Sequence, residues 1–274
     1  MSGKVWLIGA GPGDPELLTM RAFRLLQQAS VVLHDDLVSK EILALIPRTV
    51  QLHNVGKRCG AKRIQQEEIN NLLVNFARFG LRVVRLKCGD PLIFGRAGEE
   101  MEALGRAGVD FEIVPGVTAA LGAAASAKIP ITDRKTASAV AFLTHHQAMN
   151  TAEAEWQAWV AAQATLVIYM PGYEYGQIVR RLMSAGMRGN TPCALVSRAT
   201  ARDERVLRTT VEKLPEAVHL PSPTLLFVGE VVSLNAEQVT PLAADWKEFA
   251  LRDVAAAISA GEAVAQDLHG VSGD

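Results

Sequence analysis

The chain has 274 residues, of which 49% are hydrophobic and 21% charged, with a formal net charge of −1. That length suits one large domain or two modest ones with a real core, and the near-neutral charge argues against nucleic-acid binding through bulk electrostatics. Three scattered cysteines argue against a disulfide framework or a zinc site, and no apolar run suits a signal peptide or membrane span, so we expect a cytoplasmic protein without membrane contact.

Short apolar runs alternate with helix-period segments along the first half of the chain. Strands are predicted at 5–8, 31–33, 49–53, 83–86 and 111–114, and helices at 17–26, 39–45, 65–79 and 98–107. Such alternation predicts a mainly parallel sheet with helices on both faces.

A break at Pro115–Thr118 and a small-residue helix at 119–127 precede a second half of different character. Further strands are predicted at 139–144, 165–170, 194–198, 205–210 and 225–228, and further helices at 152–161, 175–184 and 211–217. We therefore predict an α/β fold of two α/β lobes, 1–116 and 117–242, followed by a helical or disordered tail at 243–274.

Three loops of glycine and other small residues follow predicted strands. They are Gly9–Pro15 (GAGPGDP), Lys87–Arg96 (KCGDPLIFGR) and Val114–Ala120 (VPGVTAA). Each alone is also compatible with a plain turn, and the first differs from the dinucleotide-binding G-x-G-x-x-G because it contains Asp14 and two prolines. All three lie at the carboxyl ends of strands, where open α/β sheets bind ligands, and that coincidence favours a ligand site.

Four further motifs accompany these loops in a fixed order: VGKR at 55–58, IPITDR at 129–134, TLVIYM at 165–170 and VGEVV at 228–232. Over about residues 4–240 the chain resembles the tetrapyrrole methylase superfamily, the class III S-adenosylmethionine-dependent methyltransferases, and within it the uroporphyrinogen-III C-methyltransferases. The stretch GDPLIFGR, followed by two glutamates, is the most discriminating part. The resemblance implies two α/β lobes of the tetrapyrrole methylase type with the cofactor cleft between them, in a homodimer.

The cofactor implied by this resemblance is S-adenosylmethionine, with S-adenosylhomocysteine as the product and with no metal. The residues that the resemblance assigns to the cofactor site are Pro12, the backbone of Cys88, Gly89 and Asp90, and Ile93, Thr118, Ala119, Met170 and Ala199. The family usually has glycine at positions 88 and 199, and a contact through backbone alone tolerates the change at 88. The pair His145–His146 suggests a metal site, but adjacent residues at a strand end point apart, so we expect no metal there.

The substrate implied by the resemblance is uroporphyrinogen III, methylated at two ring positions to give precorrin-2 by way of precorrin-1. Such a polycarboxylate calls for arginine, whose planar fork binds carboxylates bidentately. The expected substrate-binding residues are Arg96, Arg134 and Met170, with Arg21, Lys57 and Arg58 as further candidates. The product would enter sirohaem, cobalamin or haem d1 synthesis.

The candidate acid–base groups are Asp35, Lys57, Arg96 and Glu99. By resemblance, Asp35 at the end of the second predicted strand is the proton acceptor and Lys57 is its donor counterpart. A helix cap and a surface charge are the plain alternatives for these two residues. Glu99 can orient Arg96 through an i,i+3 ion pair, and Arg96 binds carboxylates first because arginine keeps its proton in water.

Three alternatives stay open. A later cobalamin-pathway methylase and a relative that acts on protein or RNA belong to the same superfamily; the GDPLIFGR match disfavours the former and the near-neutral charge disfavours RNA. A non-catalytic nucleotide-binding module would use the same cleft, but the polar residues expected there disfavour it. Some bifunctional relatives add a dehydrogenase–ferrochelatase domain, and because the first predicted strand begins at about Lys4 we expect none here.

Overall fold

The computed structural model describes residues 3–56 and 64–234. Its strands are β1 (Lys4–Gly9), β2 (Val31–His34), β3 (Gln51–Asn54), β4 (Arg82–Lys87), β5 (Asp110–Val114), β6 (Val140–Thr144), β7 (Thr165–Tyr169), β8 (Pro192–Ser197), β9 (Arg205–Thr210) and β10 (Thr224–Val228). Its α-helices are α1 (Met20–Gln28), α2 (Lys40–Leu43), α3 (Gln66–Arg78), α4 (Ala97–Arg106), α5 (Ala119–Ser126), α6 (His145–Asn150), α7 (Glu153–Ala161) and α8 (Tyr175–Ser184). Lys57, Arg58 and the predicted tail at 243–274 lie outside the described residues.

The first sheet is parallel throughout, with the strand order β3-β2-β4-β1-β5. Successive residues of β2 enter two different cores. Val31 and Leu33 pack with residues of α3 and α4, whereas Val32 packs with residues of α1 and α2. Helices therefore cover both faces, as the uninterrupted apolar run of β2 indicates, and the predicted parallel α/β architecture is confirmed for this half.

The second sheet has the order β6-β7-β10-β8-β9 and is mixed. Only β6 and β7 pair in parallel, while the three other pairings are antiparallel. The short connection between β8 and β9 permits this, because antiparallel neighbours need no crossover helix. Both sheets belong to one compact unit of the chain, and the boundaries predicted at 116 and 242 stay predictions.

Two predicted helices begin or end differently in the structure. The helix expected at 17–26 starts only at Met20, because Thr19 caps it by accepting the N–H of Ala22 at 3.1 Å. The helix expected at 211–217 is wrong, since only a short 3-10 turn forms at Leu214–Glu216. Pro215 lies inside that turn, where it removes an N–H donor and disfavours a longer helix.

The pair His145–His146 also differs from its predicted place at a strand end. Both residues open α6, whose start is fixed by a capping box between Thr144 and Gln147. Within residues 3–56 and 64–234, no group of three or more His, Cys, Asp or Glu side chains is arranged to hold a metal ion. In the same ranges no helix is long and apolar enough to cross a membrane.

Candidate active site

The loops that follow β1, β4 and β5 meet because β1 lies between the other two strands. Gly11 donates its N–H to the carbonyl oxygen of Gly89 at 3.1 Å, and Gly89 donates back to Gly11 at 2.7 Å. A Cβ atom added at Gly116 would lie 2.5 Å from the carbonyl oxygen of Gly89. The backbones of the three loops approach so closely here that only glycine fits at these positions. This accounts for a glycine in each of the three small-residue motifs.

The carboxylate of Asp90 fastens two of these loops together. Its Oδ2 accepts the N–H of Gly116 at 3.0 Å, and its Oδ1 accepts the N–H of Leu92 at 2.8 Å. Charge-assisted bonds of this kind are stronger than neutral ones. The side chain of Asp90 thus fixes the shape of the loop whose backbone was predicted to face the cofactor.

Residues at the ends of two strands of the second sheet contact these three loops and complete the loop cluster. Tyr169 ends β7, and its hydroxyl lies 2.6 Å from Oγ1 of Thr118 and accepts the N–H of Ala120 at 3.2 Å. Beyond β8, Oγ1 of Thr200 accepts the N–H of Asp14 at 3.1 Å. All the predicted cofactor residues lie on or beside these connected loops: Pro12, Cys88, Gly89, Asp90, Ile93, Thr118, Ala119, Met170 and Ala199.

The cluster has apolar as well as backbone surfaces. Pro12 packs on α5 so tightly that a Cβ atom at Gly122 would lie 2.5 Å from its Cγ. Ile93 is half-buried against the core of the second sheet, and Met170 is 60% exposed although it directly follows a buried strand. A ligand at this junction would therefore contact apolar side chains from both sheets.

Strained backbone is concentrated around the same loops. Seven non-glycine residues in the described ranges have a positive φ, and five of them belong to loops of this cluster. These five are Phe94 (51°), Arg96 (55°), Met170 (51°), Arg198 (51°) and Thr200 (65°). Left-handed conformations cost free energy in non-glycine residues and are characteristic of functional sites.

Asp35 lies just after β2 and contacts a buried group of charges. Its Oδ1 accepts a hydrogen bond from Nη2 of Arg85, whose Nε donates to Glu100 at 2.9 Å. Nζ of Lys87 donates to both oxygens of Glu100 at 3.0 Å. Arg85 and Lys87 are each 2% exposed and Glu100 is 0% exposed, so we call these three residues the buried ionic cluster.

The buried ionic cluster perturbs the pKa of both its basic members. Burial and the neighbouring Arg85 lower the pKa of Lys87, despite the opposing effect of Glu100. Burial also acts to lower the pKa of Arg85, but the carboxylates of Asp35 and Glu100 outweigh it and raise that pKa. No role was predicted for these residues from the sequence, although two basic residues two positions apart in an apolar strand were a usable signal.

Arg96 and Glu99 form the expected i,i+3 ion pair at the start of α4. Nε and Nη2 of Arg96 each donate to a separate oxygen of Glu99 at 2.7 Å, and about half of each side chain is exposed. The hydrogen bonds to Glu99 raise the pKa of Arg96. Arg96 therefore stays protonated, with its guanidinium oriented by Glu99.

The other basic candidates are placed differently. Arg134 is exposed on a turn in which Asp133 accepts the N–H groups of Lys135 and Thr136 at 2.9 and 3.0 Å. The hydrogen bond from the N–H of Lys135, followed by that from the hydroxyl of Thr136, lowers the pKa of Asp133. Arg21 forms an ion pair with Glu112 at the first sheet, which gives it a structural partner there.

Residues 4–215 match the family model of the tetrapyrrole (corrin/porphyrin) methylases. The chain belongs to this family. It is 50% identical to siroheme synthase 1 of Yersinia enterocolitica over 234 residues, which cover 85% of this chain and 50% of that protein. It is 48% identical to the siroheme synthase of Nitrosospira multiformis over 238 residues, 86% of this chain and 50% of that one. The chain thus spans about half the length of the curated relatives it matches.

Solved structures of this family share the fold. A uroporphyrin-III C-methyltransferase from Thermus thermophilus in complex with S-adenosylhomocysteine has a TM-score of 0.72 and 39% identity, covering 84% of this chain and 99% of its own. The cobalt precorrin-4 methyltransferase CbiF has a TM-score of 0.75 and 32% identity, covering 84% of this chain and 95% of its own. The predicted fold class, two lobes of the tetrapyrrole methylase type, is therefore confirmed.

Proposed function

We propose that this chain is a uroporphyrinogen-III C-methyltransferase, which transfers two methyl groups from S-adenosylmethionine to uroporphyrinogen III and yields precorrin-2. The observation that carries the proposal is the junction at which loops of both sheets meet, with Gly11 bonded to Gly89, Asp14 to Thr200 and Thr118 to Tyr169. The Thermus thermophilus relative, which contains S-adenosylhomocysteine, matches this chain over 99% of its own length.

The residues at the junction suit this cofactor. An adenosine moiety needs apolar walls and a few placed polar groups, and the junction offers both: Pro12, Ile93 and Met170 supply apolar surface, while the glycine-rich loops bring backbone close. Sγ of Cys88 lies 3.8 Å from the carbonyl oxygen of Gly11, so its side chain is accommodated within the loop. Bound at the junction, S-adenosylmethionine would supply an electrophilic methyl group.

We propose as the full set of cofactor-binding residues the one that the family resemblance implies. It consists of Pro12, Cys88, Gly89, Asp90, Ile93, Thr118, Ala119, Met170 and Ala199. Their contribution to the reaction is positioning, because a sulfonium methyl group is already activated for displacement.

Arg96 and Arg134 are proposed to bind carboxylates of the macrocycle, and Met170 is proposed as a further substrate-binding residue. Nη1 of Arg96 has no hydrogen-bond partner among the described residues, and Glu99 holds the rest of the guanidinium. No hydrogen bond or ion pair within residues 3–56 and 64–234 engages the guanidinium of Arg134. Both groups can therefore approach a polycarboxylate without first breaking a buried contact.

Asp35 is proposed to accept the proton that the macrocycle loses after methylation. Its Oδ1 is bonded to Arg85, whereas Oδ2 has no hydrogen-bond partner among the described residues. A carboxylate oriented through one oxygen presents the other as a general base. The proposed donor counterpart, Lys57, lies outside the described residues.

Within the family, uroporphyrinogen III is favoured over a later precorrin. Identity to the uroporphyrin-III enzyme is 39%, against 32% for the cobalt precorrin-4 enzyme. Similarity to siroheme synthases favours the sirohaem pathway for the product. We further propose a cytoplasmic homodimer that binds neither nucleic acid nor membrane.

Titration calorimetry tests the proposal against a non-catalytic nucleotide-binding module. We expect the chain to bind S-adenosylhomocysteine, and to bind uroporphyrinogen III under anaerobic conditions. A module would bind the first and ignore the second. Binding of neither molecule would contradict the proposal altogether.

A further inference from the structure

The buried ionic cluster of Arg85, Lys87 and Glu100 is costly in the interior. Moving charged groups out of water costs free energy that their mutual attraction only partly returns, and apolar replacements of similar volume often give a more stable protein. Stability alone is therefore a weak reason for three fully buried charges at this place. The cluster instead joins the elements that carry the proposed acid–base residues.

Arg85 occupies the centre of these contacts. Nη2 donates to Asp35, Nε donates to Glu100 at 2.9 Å, and Nη1 lies 3.4 Å from the carbonyl oxygens of Leu33 and Leu86. Every nitrogen of the guanidinium thus has a partner, which fixes the plane of the group. The guanidinium reaches the two carboxylates through different nitrogens held in one plane, a geometry that a single ammonium does not reproduce.

Glu100 is held from two further directions. Lys87 donates to both of its oxygens at 3.0 Å, and Nε2 of Gln66 in α3 lies 3.3 Å from Oε1. Glu100 is in α4, next to Glu99, so the cluster connects the helix of the Arg96–Glu99 pair with Asp35 after β2. The orientation of the Asp35 carboxylate is thereby tied to the same framework that presents Arg96.

We propose that Arg85 is a positioning residue for Asp35, and that Glu100 holds Arg85 in the orientation this requires. The inference rests on the proposed function, in which Asp35 accepts a proton from the methylated macrocycle. Arg85 is 2% exposed, and among the described residues its side chain donates hydrogen bonds to Asp35, Glu100 and two strand carbonyl oxygens. Its effect on the proton-transfer geometry is therefore exerted through Asp35. Misplacing a reacting group by about 1 Å costs on the order of a hundredfold in rate.

A double-mutant cycle tests this inference on the full chain. We expect Arg85→Lys to lower kcat on the order of tenfold to a hundredfold, with little change in the KM for uroporphyrinogen III or the Kd of S-adenosylhomocysteine. In the Asp35→Asn background the same substitution should change kcat by less than about twofold, because residues that act as one unit are not additive. Glu102→Gln, at an exposed pair on α4, is the matched control and should behave like wild type.

Glu100→Gln provides a second variant of almost unchanged volume, should Arg85→Lys fail to fold. It leaves Arg85 without one of its two carboxylate partners, so we expect the same loss of kcat and the same non-additivity with Asp35→Asn. Wild-type kcat in both folded variants would overturn the inference. An equal fold-loss of kcat in the wild-type background and in the Asp35→Asn background would overturn it too. Wild-type kcat in Asp35→Asn would overturn it as well, while leaving methyl transfer itself established. A wild-type chain without methyl transfer would overturn the proposed function.

Discussion

The hydroxyl of Tyr169 lies 2.6 Å from Oγ1 of Thr118 and connects the end of β7 with the loop that follows β5. The same hydroxyl accepts the N–H of Ala120, and the ring stacks edge-on against Phe94 at 4.9 Å between centroids. One side chain of the second sheet thus holds two loops that follow strands of the first sheet. The arrangement of the proposed cofactor residues depends on such contacts over long sequence separations.

Replacing Tyr169 with phenylalanine should loosen the junction while retaining the ring contacts. We expect the free energy of unfolding to fall by about 1–2 kcal/mol, because Thr118 and Ala120 lose a buried partner. The Kd of S-adenosylhomocysteine should rise by roughly threefold to tenfold, measured by calorimetry. Tyr175→Phe is the control, since its buried hydroxyl has no hydrogen-bond partner among the described residues. Equal effects of the two substitutions would contradict this role of Tyr169.

A methyl group added at Gly122 should displace the loop Gly9–Pro15, which contains Pro12. The added Cβ would lie 2.5 Å from Cγ of Pro12, so Gly122→Ala forces the loop and α5 apart. We expect a loss of about 1–3 kcal/mol in stability and at least about tenfold weaker binding of S-adenosylhomocysteine. Gly105→Ala in α4 has open space around it and should instead stabilise the chain by about 0.5–1 kcal/mol. Unchanged affinity in Gly122→Ala would argue that Pro12 does not border the cofactor.

The substitution Arg96→Lys separates substrate binding from cofactor binding. Lysine keeps the positive charge but loses the forked guanidinium, which binds Glu99 and is proposed to bind a carboxylate of the macrocycle. We therefore expect turnover to fall roughly tenfold or more. The Kd of S-adenosylhomocysteine and the melting temperature should stay near wild type, because the ion pair is half exposed. Arg106→Lys, in an exposed pair on the same helix, serves as the control. Wild-type turnover in Arg96→Lys would show that the fork is not needed.

Alkaline pH should destabilise the chain partly through Cys193. Burial raises the pKa of this thiol to about 12, against an ordinary value of 9.0. Between these values the unfolded chain has released the proton and the folded chain has kept it, so the free energy of unfolding falls as pH rises. The stability difference between wild type and Cys193→Ala should shrink by about 1.4 kcal/mol from about pH 8 to about pH 10, measured by urea unfolding. A difference that stays constant over this range would show that the thiol titrates normally.

Much of the first sheet and its loops could be predicted from the sequence because the signals are local. Apolar runs such as Val31–Leu33 mark strands, and the glycines at 11, 89 and 116 mark close backbone approach. The spacing of Arg96 and Glu99 similarly indicated an ion pair on one helix face, and the structure has it.

The remaining features depend on partners that are distant in sequence. The bond from Asp14 to Thr200 spans 186 positions and leaves no local pattern. Apolar strands do not reveal their direction, so the antiparallel pairings of β10 could not be inferred. The role of Arg85 could not be predicted from its own position in the sequence. It depends on Asp35 and Glu100, which are brought beside it by the parallel register of β2 and β4 and by α4.

The most direct measurement is an anaerobic methyl-transfer assay with purified chain, uroporphyrinogen III and isotopically labelled S-adenosylmethionine, followed by mass spectrometry of the macrocycle over time. We expect a singly methylated macrocycle to appear first and then a doubly methylated one, with one S-adenosylhomocysteine released for each methyl group. A macrocycle that acquires no label, from a chain that binds S-adenosylhomocysteine, would contradict the proposed function.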